Sequence, residues 1–164
     1  MRIEFIILVL GIVSIMVIII LPVEWFDKRL SLQKWKPVVS DTKMIQETIL
    51  FFGPILREKG VRHYPTFKIS YYHHPKFGGT YSNNKIVIYI KNNEDVIDLL
   101  LCLGHELAHH LQAHTNKQYS RYDEFTKAWG YYNNPFEYEA RIFAHEWIEP
   151  CLKHLAEKGI IVKQ

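Results

Sequence analysis

Gly104-His105-Glu106-Leu107-Ala108-His109-His110 decides how the rest of this 164-residue chain is read. On an α-helix, residues four apart share a face, so His105 and His109 can turn both imidazoles toward one metal ion. Glu106 between them can reach a water on that ion, and the pattern predicts metal-assisted hydrolysis. The motif belongs to a helix expected over roughly residues 94 to 114, with Asn93 as its cap and Glu94 and Asp95 in its first turn. Val96, Ile97, Leu99, Leu100, Leu101, Cys102 and Leu103 cover most of its circumference, which predicts a helix running through the domain interior. Buried His105, Glu106, His109 and His110 need partners there, and one metal ion serves two of them at once.

Upstream, Ser40-Asp41-Thr42 can cap a helix whose apolar positions Met44, Ile45, Ile49, Phe52, Ile55 and Leu56 recur at helical spacing up to Gly60, with a bend at Pro54. Two strand-like runs follow, Thr66 to Tyr72 and Lys85 to Ile90. The Pro, Gly and Asn residues between them predict a hairpin. Downstream, a polar and aromatic segment from His114 to Asn134 leads to Asn133-Asn134-Pro135. These start a last helix from Phe136 to about Lys158, bent at Pro150. The expected class is α+β: a small antiparallel sheet or hairpin packed on the motif helix and the C-terminal helix.

At the other end, Phe5 to Val23 is an uncharged, almost wholly apolar run long enough to cross a hydrocarbon core as a helix. A cleaved signal peptide is the competing reading, but no small-x-small site follows, only Pro22-Val23-Glu24-Trp25-Phe26. The expectation is one retained transmembrane helix in residues 1–24, a juxtamembrane linker in 25–40 and a catalytic domain in 41–164. Lys28, Arg29, Lys34 and Lys36 outweigh the charge before the span, which predicts a single-pass membrane protein with its C-terminal domain in the cytoplasm. Trp25, Phe26 and Trp35 read as an interfacial collar on the lipid bilayer. A net charge of +3, much of it beside that run, argues against a nucleic-acid partner. Cys102 and Cys151 form no C-x-x-C pair and read as buried free thiols.

A structural zinc site takes four protein ligands, whereas a catalytic one takes three and leaves a position for water, so a third ligand is expected downstream. Gln112 and Thr115 stand where a metzincin has Gly and His, and no Met follows the motif. The remaining source is Glu137-Tyr138-Glu139-Ala140-Arg141-Ile142-Phe143-Ala144, early in the last helix.

Here the sequence resembles a family. HELAHH followed by E-x-E-A-x-x-F-A is similar to the compact glutamate-zincins, including the membrane-bound M48 peptidases and the ImmA/IrrE-type peptidases. The resemblance covers residues 85 to 148 and implies a zincin-like fold. It implies one Zn2+ per chain on His105, His109 and Glu137, with Glu139, on a different helix face, as the alternative ligand. It departs from the family at Arg141, where Asp or Asn is usual. It also implies that the strand before the motif helix (Lys85, Ile86, Val87, Ile88, Tyr89 and Ile90) forms the upper edge of the cleft and binds an extended peptide by strand addition.

The expected activity is that of a membrane-anchored zinc metallopeptidase acting on protein or peptide substrates, with Glu106 as general base and proton carrier. The oxyanion donor is expected among Arg141, His145, Tyr131 and Tyr132. The alternative is a catalytically silent zincin-fold module that binds a protein partner at the membrane.

Overall fold

Ser40 lies in extended backbone and its hydroxyl accepts the Lys43 N–H at 3.4 Å, which starts the first helix where the sequence places it. The computed structural model describes residues 34–164. In chain order the elements are β1 (Trp35–Pro37), α1 (Asp41–Glu58), β2 (Thr66–Ser70), β3 (Gly79–Ser82), β4 (Lys85–Tyr89), α2 (Val96–Thr115), α3 (Tyr122–Trp129), α4 (Pro135–Glu157) and β5 (Ile161–Lys163). The cap of α2 is Asp95, whose carboxylate accepts the Asp98 N–H at 2.9 Å. Asn93, the expected cap, instead donates its amide to the carbonyls of Tyr89 at 2.9 Å and Gly78 at 3.2 Å.

The three-stranded sheet has the order β2-β4-β3 and corrects the expected hairpin. Asn83 and Asn84 both take positive φ, 49° and 58°, the backbone of a two-residue hairpin turn, and they join β3 to β4. With β3 antiparallel to β4 on one side, β2 pairs with β4 in parallel on the other, Thr66 opposite Lys85 and Ser70 opposite Tyr89. The sheet is therefore mixed. The strand from Lys85 to Tyr89 is its centre, with Ile86 and Ile88 buried, and Ile90 has already passed into a 3-10 turn.

A second correction concerns the start of the domain. Trp35–Pro37, placed in the linker by the sequence reading, forms an antiparallel pair with Ile161–Lys163, and the Lys163 ammonium lies 5.9 Å from the Trp35 ring centre. Two three-residue strands are too short to show a period of two, so nothing local announced them.

Helix α2 packs between the sheet and α4. Its crossing with α4 is close because Gly104 faces Ala144: a Cβ on Gly104 would stand 3.3 Å from the Ala144 Cα. Leu100, Leu103, Leu107 and Ala108 of α2, Ala140, Ile148, Cys151, Leu152 and Leu155 of α4, and Met44, Phe52 and Leu56 of α1 form the core. Fully burying a Leu or Phe side chain contributes about 1.5–3 kcal/mol, so this core is what holds the two helices that carry the site in register.

The expected transmembrane helix and single-pass membrane location are also corrected. Among the described residues no helix is long and apolar enough to cross a membrane. The run from Phe5 to Val23, with its flanking Trp25 and Phe26, lies outside the described residues. The fold described is α+β with no spanning element among those residues, and Trp35 of the expected collar belongs to the β1–β5 pair.

Candidate metal centre

His105 and His109 project from one face of α2, and Glu137 lies in the first turn of α4. Asn134 caps that helix by accepting the Phe136 N–H at 3.0 Å, and Pro135 suits its first turn. Because α2 and α4 meet so closely at Gly104 and Ala144, the start of α4 comes down on the histidine pair. His105 Nε2 and His109 Nε2 are 3.1 Å apart, Glu137 Oε2 is 3.1 Å from His105 Nε2, and Glu137 Oε1 is 3.1 Å from His109 Nε2. One ligand atom from each residue falls within 4.8 Å of the others.

This donor set fits zinc. A tetrahedral zinc ion with bonds of about 2.0–2.1 Å sets its ligand atoms roughly 3.3–3.4 Å apart, close to the separations here. Two imidazole nitrogens and a carboxylate oxygen are the three-ligand chemistry of a catalytic site. Glu137 is 1 % exposed, with its Oε2 against His105 and its Oε1 against His109 and the Tyr122 hydroxyl. A buried carboxylate charge is costly, and a cation between it and the rings would offset that cost.

The charges around the triad follow from burial and proximity. Burial alone would raise the Glu137 pKa, but His105, His109 and the Tyr122 hydroxyl hold it well below the usual carboxylate range. Burial lowers the pKa of His105. At His109 burial acts in the same direction, but the Glu137 carboxylate outweighs it and the pKa is raised. Glu106, on the adjoining face of α2, is pushed up to about 7 by burial; Glu137 adds to the rise, and His109 and the Tyr81 backbone amide oppose it.

Glu139 is not part of the triad. Its Oε2 accepts from the Gln112 side-chain amide at 3.2 Å, on the far side of the carboxamide from His109. The sequence reading missed two residues that hold members of the triad. Gln112 places its Oε1 2.9 Å from His109 Nδ1, and Tyr122 donates its hydroxyl to Glu137 Oε1. Gln112 was legible as a polar residue one turn beyond His109 inside an apolar helix. Tyr122 had no local signal, because the contact spans α3 and α4. The aromatic segment divides: Tyr119, Tyr122 and Phe125 pack on Phe136, with ring centres 5.3 to 6.2 Å away, whereas Tyr131 and Tyr132 face open space.

That space is a cleft of about 750 Å³ beside the triad, lined by Phe77, Gly79, Cys102, His105, Glu106 and Tyr131 among others. Of the four expected oxyanion donors, Tyr131 lines the cleft with His105 and Glu106, and burial followed by Glu137 pushes its pKa up. Tyr132 is 80 % exposed at the rim. The Arg141 guanidinium donates to the Tyr132 carbonyl at 2.7 Å and so fastens the Tyr131-Tyr132 loop. Arg141 and His145 border a smaller recess of about 210 Å³ on another side of His105.

The strand expected to receive substrate is corrected too. Lys85–Tyr89 is paired on both sides and has no free edge; the edge strand beside Glu106 is β3. The Gly78 carbonyl accepts from Tyr89 N–H at 2.8 Å, so backbone groups two residues on, at Thr80, also turn inward to β4 and those of Gly79 and Tyr81 turn outward. The Tyr81 amide is directed at Glu106, which leaves Gly79 and the Tyr81 carbonyl facing the cleft side of the sheet.

Both cysteines are free thiols. Cys151 is buried, which raises its pKa to about 12, and Cys102 lies under Gly78 and Gly79 beside the cleft. Compared with protein families, with curated proteins and with solved structures, the chain matches none.

Proposed function

We propose that this chain is a zinc-dependent peptidase in which His105, His109 and Glu137 hold the metal and Glu106 is the general base. The single observation that carries the reading is the meeting of those three donors, from two helices, next to Glu106 and below the free edge of β3. Bound there, zinc supplies Lewis acidity toward a water and toward the scissile carbonyl.

The chain's own residues do the rest. A peptide laid along β3 adds a strand to the sheet through the outward backbone groups of Gly79 and the Tyr81 carbonyl, which sets its scissile bond over the triad. Glu106 takes a proton from the attacking water onto its carboxylate and delivers it to the leaving amine nitrogen. The Tyr131 hydroxyl donates to the carbonyl oxygen as negative charge develops on it. Phe77 and Tyr131, whose ring centres are 6.0 Å apart, narrow one end of the cleft and limit water there.

Incubation of the full chain with an unbiased peptide mixture, with and without a chelator, tests the reading. Cleavage that stops on chelation and returns with zinc supports it. A chain that takes up zinc and cleaves nothing would transfer the reading to a binding module.

A further inference from the structure

Gln112 makes three contacts with one side chain. It is 6 % exposed; its Oε1 lies 2.9 Å from His109 Nδ1, and its Nε2 donates to the Phe136 carbonyl at 2.9 Å and to Glu139 Oε2 at 3.2 Å. The bonding pattern fixes which way the carboxamide faces. A carbonyl and a carboxylate only accept, so the amide nitrogen must face them and the amide oxygen must face His109. An oxygen can only accept, so His109 carries a proton on Nδ1, and Nε2 is the ring nitrogen left to meet Glu137 and a metal.

The second half of the contact lies on the other helix. Phe136 immediately precedes Glu137, and Glu139 follows it by two residues, so the carboxamide grips α4 on both sides of the third ligand. We propose that Gln112 is the positioning residue of the metal centre. One carboxamide sets the tautomer of His109 and, through Phe136 and Glu139, the placement of Glu137 against it. It also gives Glu139 a task, as the anchor of that clasp. The inference rests on the zinc reading above, and it assigns to residues outside the triad the preorganisation of a site shared by two helices.

The test uses the full chain, with zinc dissociation constants from chelator competition measured where the metal-free protein is fully folded. Q112M keeps the size of the side chain and removes all three contacts. Zinc affinity is expected to fall about 10–100-fold in Q112M. In the zinc-loaded parent labelled with 15N-histidine, His109 should show a protonated Nδ1 and a metal-bound Nε2. Unchanged affinity in folded Q112M, with only its melting temperature lowered, would reduce Gln112 to an interhelical bond and overturn the proposal. Metal on Nδ1 of His109 in the parent would overturn it even if Q112M does not fold. A parent chain that binds no zinc would remove the zinc reading and this inference together, whereas zinc binding indifferent to Q112M removes this inference alone.

Discussion

A single carbon added to Gly79 would stand 2.9 Å from Cγ of Glu106 and 2.8 Å from Sγ of Cys102. The edge strand is thus seated directly on the proposed general base, and real Cβ atoms do not approach so closely. The backbone of Gly79 has no positive φ, so alanine meets no conformational penalty there and acts only through displacement. G79A is expected to retain one zinc per chain and to lose at least about 10-fold in kcat, since a shift of about 1 Å in a reacting group can cost 100-fold. Metal analysis beside steady-state kinetics checks this, and unaltered kcat would mean that Glu106 is not the base or that the strand yields freely.

Metal content separates the two glutamates. H105A, H109A and E137A should each lose stoichiometric zinc, because each removes one of three donors. E139Q should keep it, because Glu139 bonds to Gln112 instead. Elemental analysis of the four variants decides it, and loss of zinc in E139Q with retention in E137A would exchange their roles.

Glu106 should separate binding from chemistry. E106Q keeps the shape of the side chain and removes its basicity, so zinc should stay bound while turnover falls by about 100- to 10,000-fold. Equal turnover in the parent and E106Q would exclude this glutamate as the proton carrier.

Two tyrosines face Glu137 and should differ in kind. Tyr131 lines the cleft, so Y131F is expected to lower kcat by about 100- to 1,000-fold, the loss for one oxyanion donor, with little change in zinc affinity. Tyr122 donates to Glu137 Oε1, in the proposed metal centre, so Y122F is expected to weaken zinc binding by about 10-fold or more through Glu137. Chelator competition and kinetics on both variants test the contrast, and identical profiles would refute it.

A structural ion pair gives a pH prediction away from the metal. Glu47 is buried between Lys43 Nζ at 2.7 Å and Lys158 Nζ at 3.4 Å, and the hydrogen bond from Lys43 holds its pKa below the ordinary value against the opposing effect of burial. A folded pKa below the unfolded one means the unfolded chain binds the proton more tightly. The stabilisation is therefore complete above the ordinary carboxylate range, about pH 4–5, and is lost as pH falls through the folded value. The melting temperature of E47Q should lie below the parent's at pH 7, with the gap closing below about pH 4. A gap independent of pH would assign the loss to packing.

The helix over residues 96 to 115 and the two histidines that share its face were open to sequence reasoning, because a period of 3.6 and a spacing of four are local properties of the chain. So was the start of the last helix, since Asn134 and Pro135 specify a cap without reference to anything distant. The position of Glu137, supplied in the sequence reading only by resemblance, depends on how closely α2 and α4 cross. Gly104 and Ala144 permit that approach from 40 residues apart. The parallel pairing of β2 and β4 was hidden because strand patterns report which residues face inward and not which neighbour they pair with. For the same reason the pattern does not show that β4 is the central strand, or that Gly79–Ser82, short and begun by a glycine, is the edge strand beside it.

By itself the sequence determined the motif helix and the spacing that puts His105 and His109 on one face of it, set by residues within a turn or two of one another, although its cap is Asp95 and not Asn93. Tertiary structure alone decided which strand is the free edge, which glutamate meets the histidines, and that Gln112 and Tyr122 contact His109 and Glu137. Those depend on contacts between residues 15 to 29 apart in the chain, where packing, and not local propensity, selects the partner.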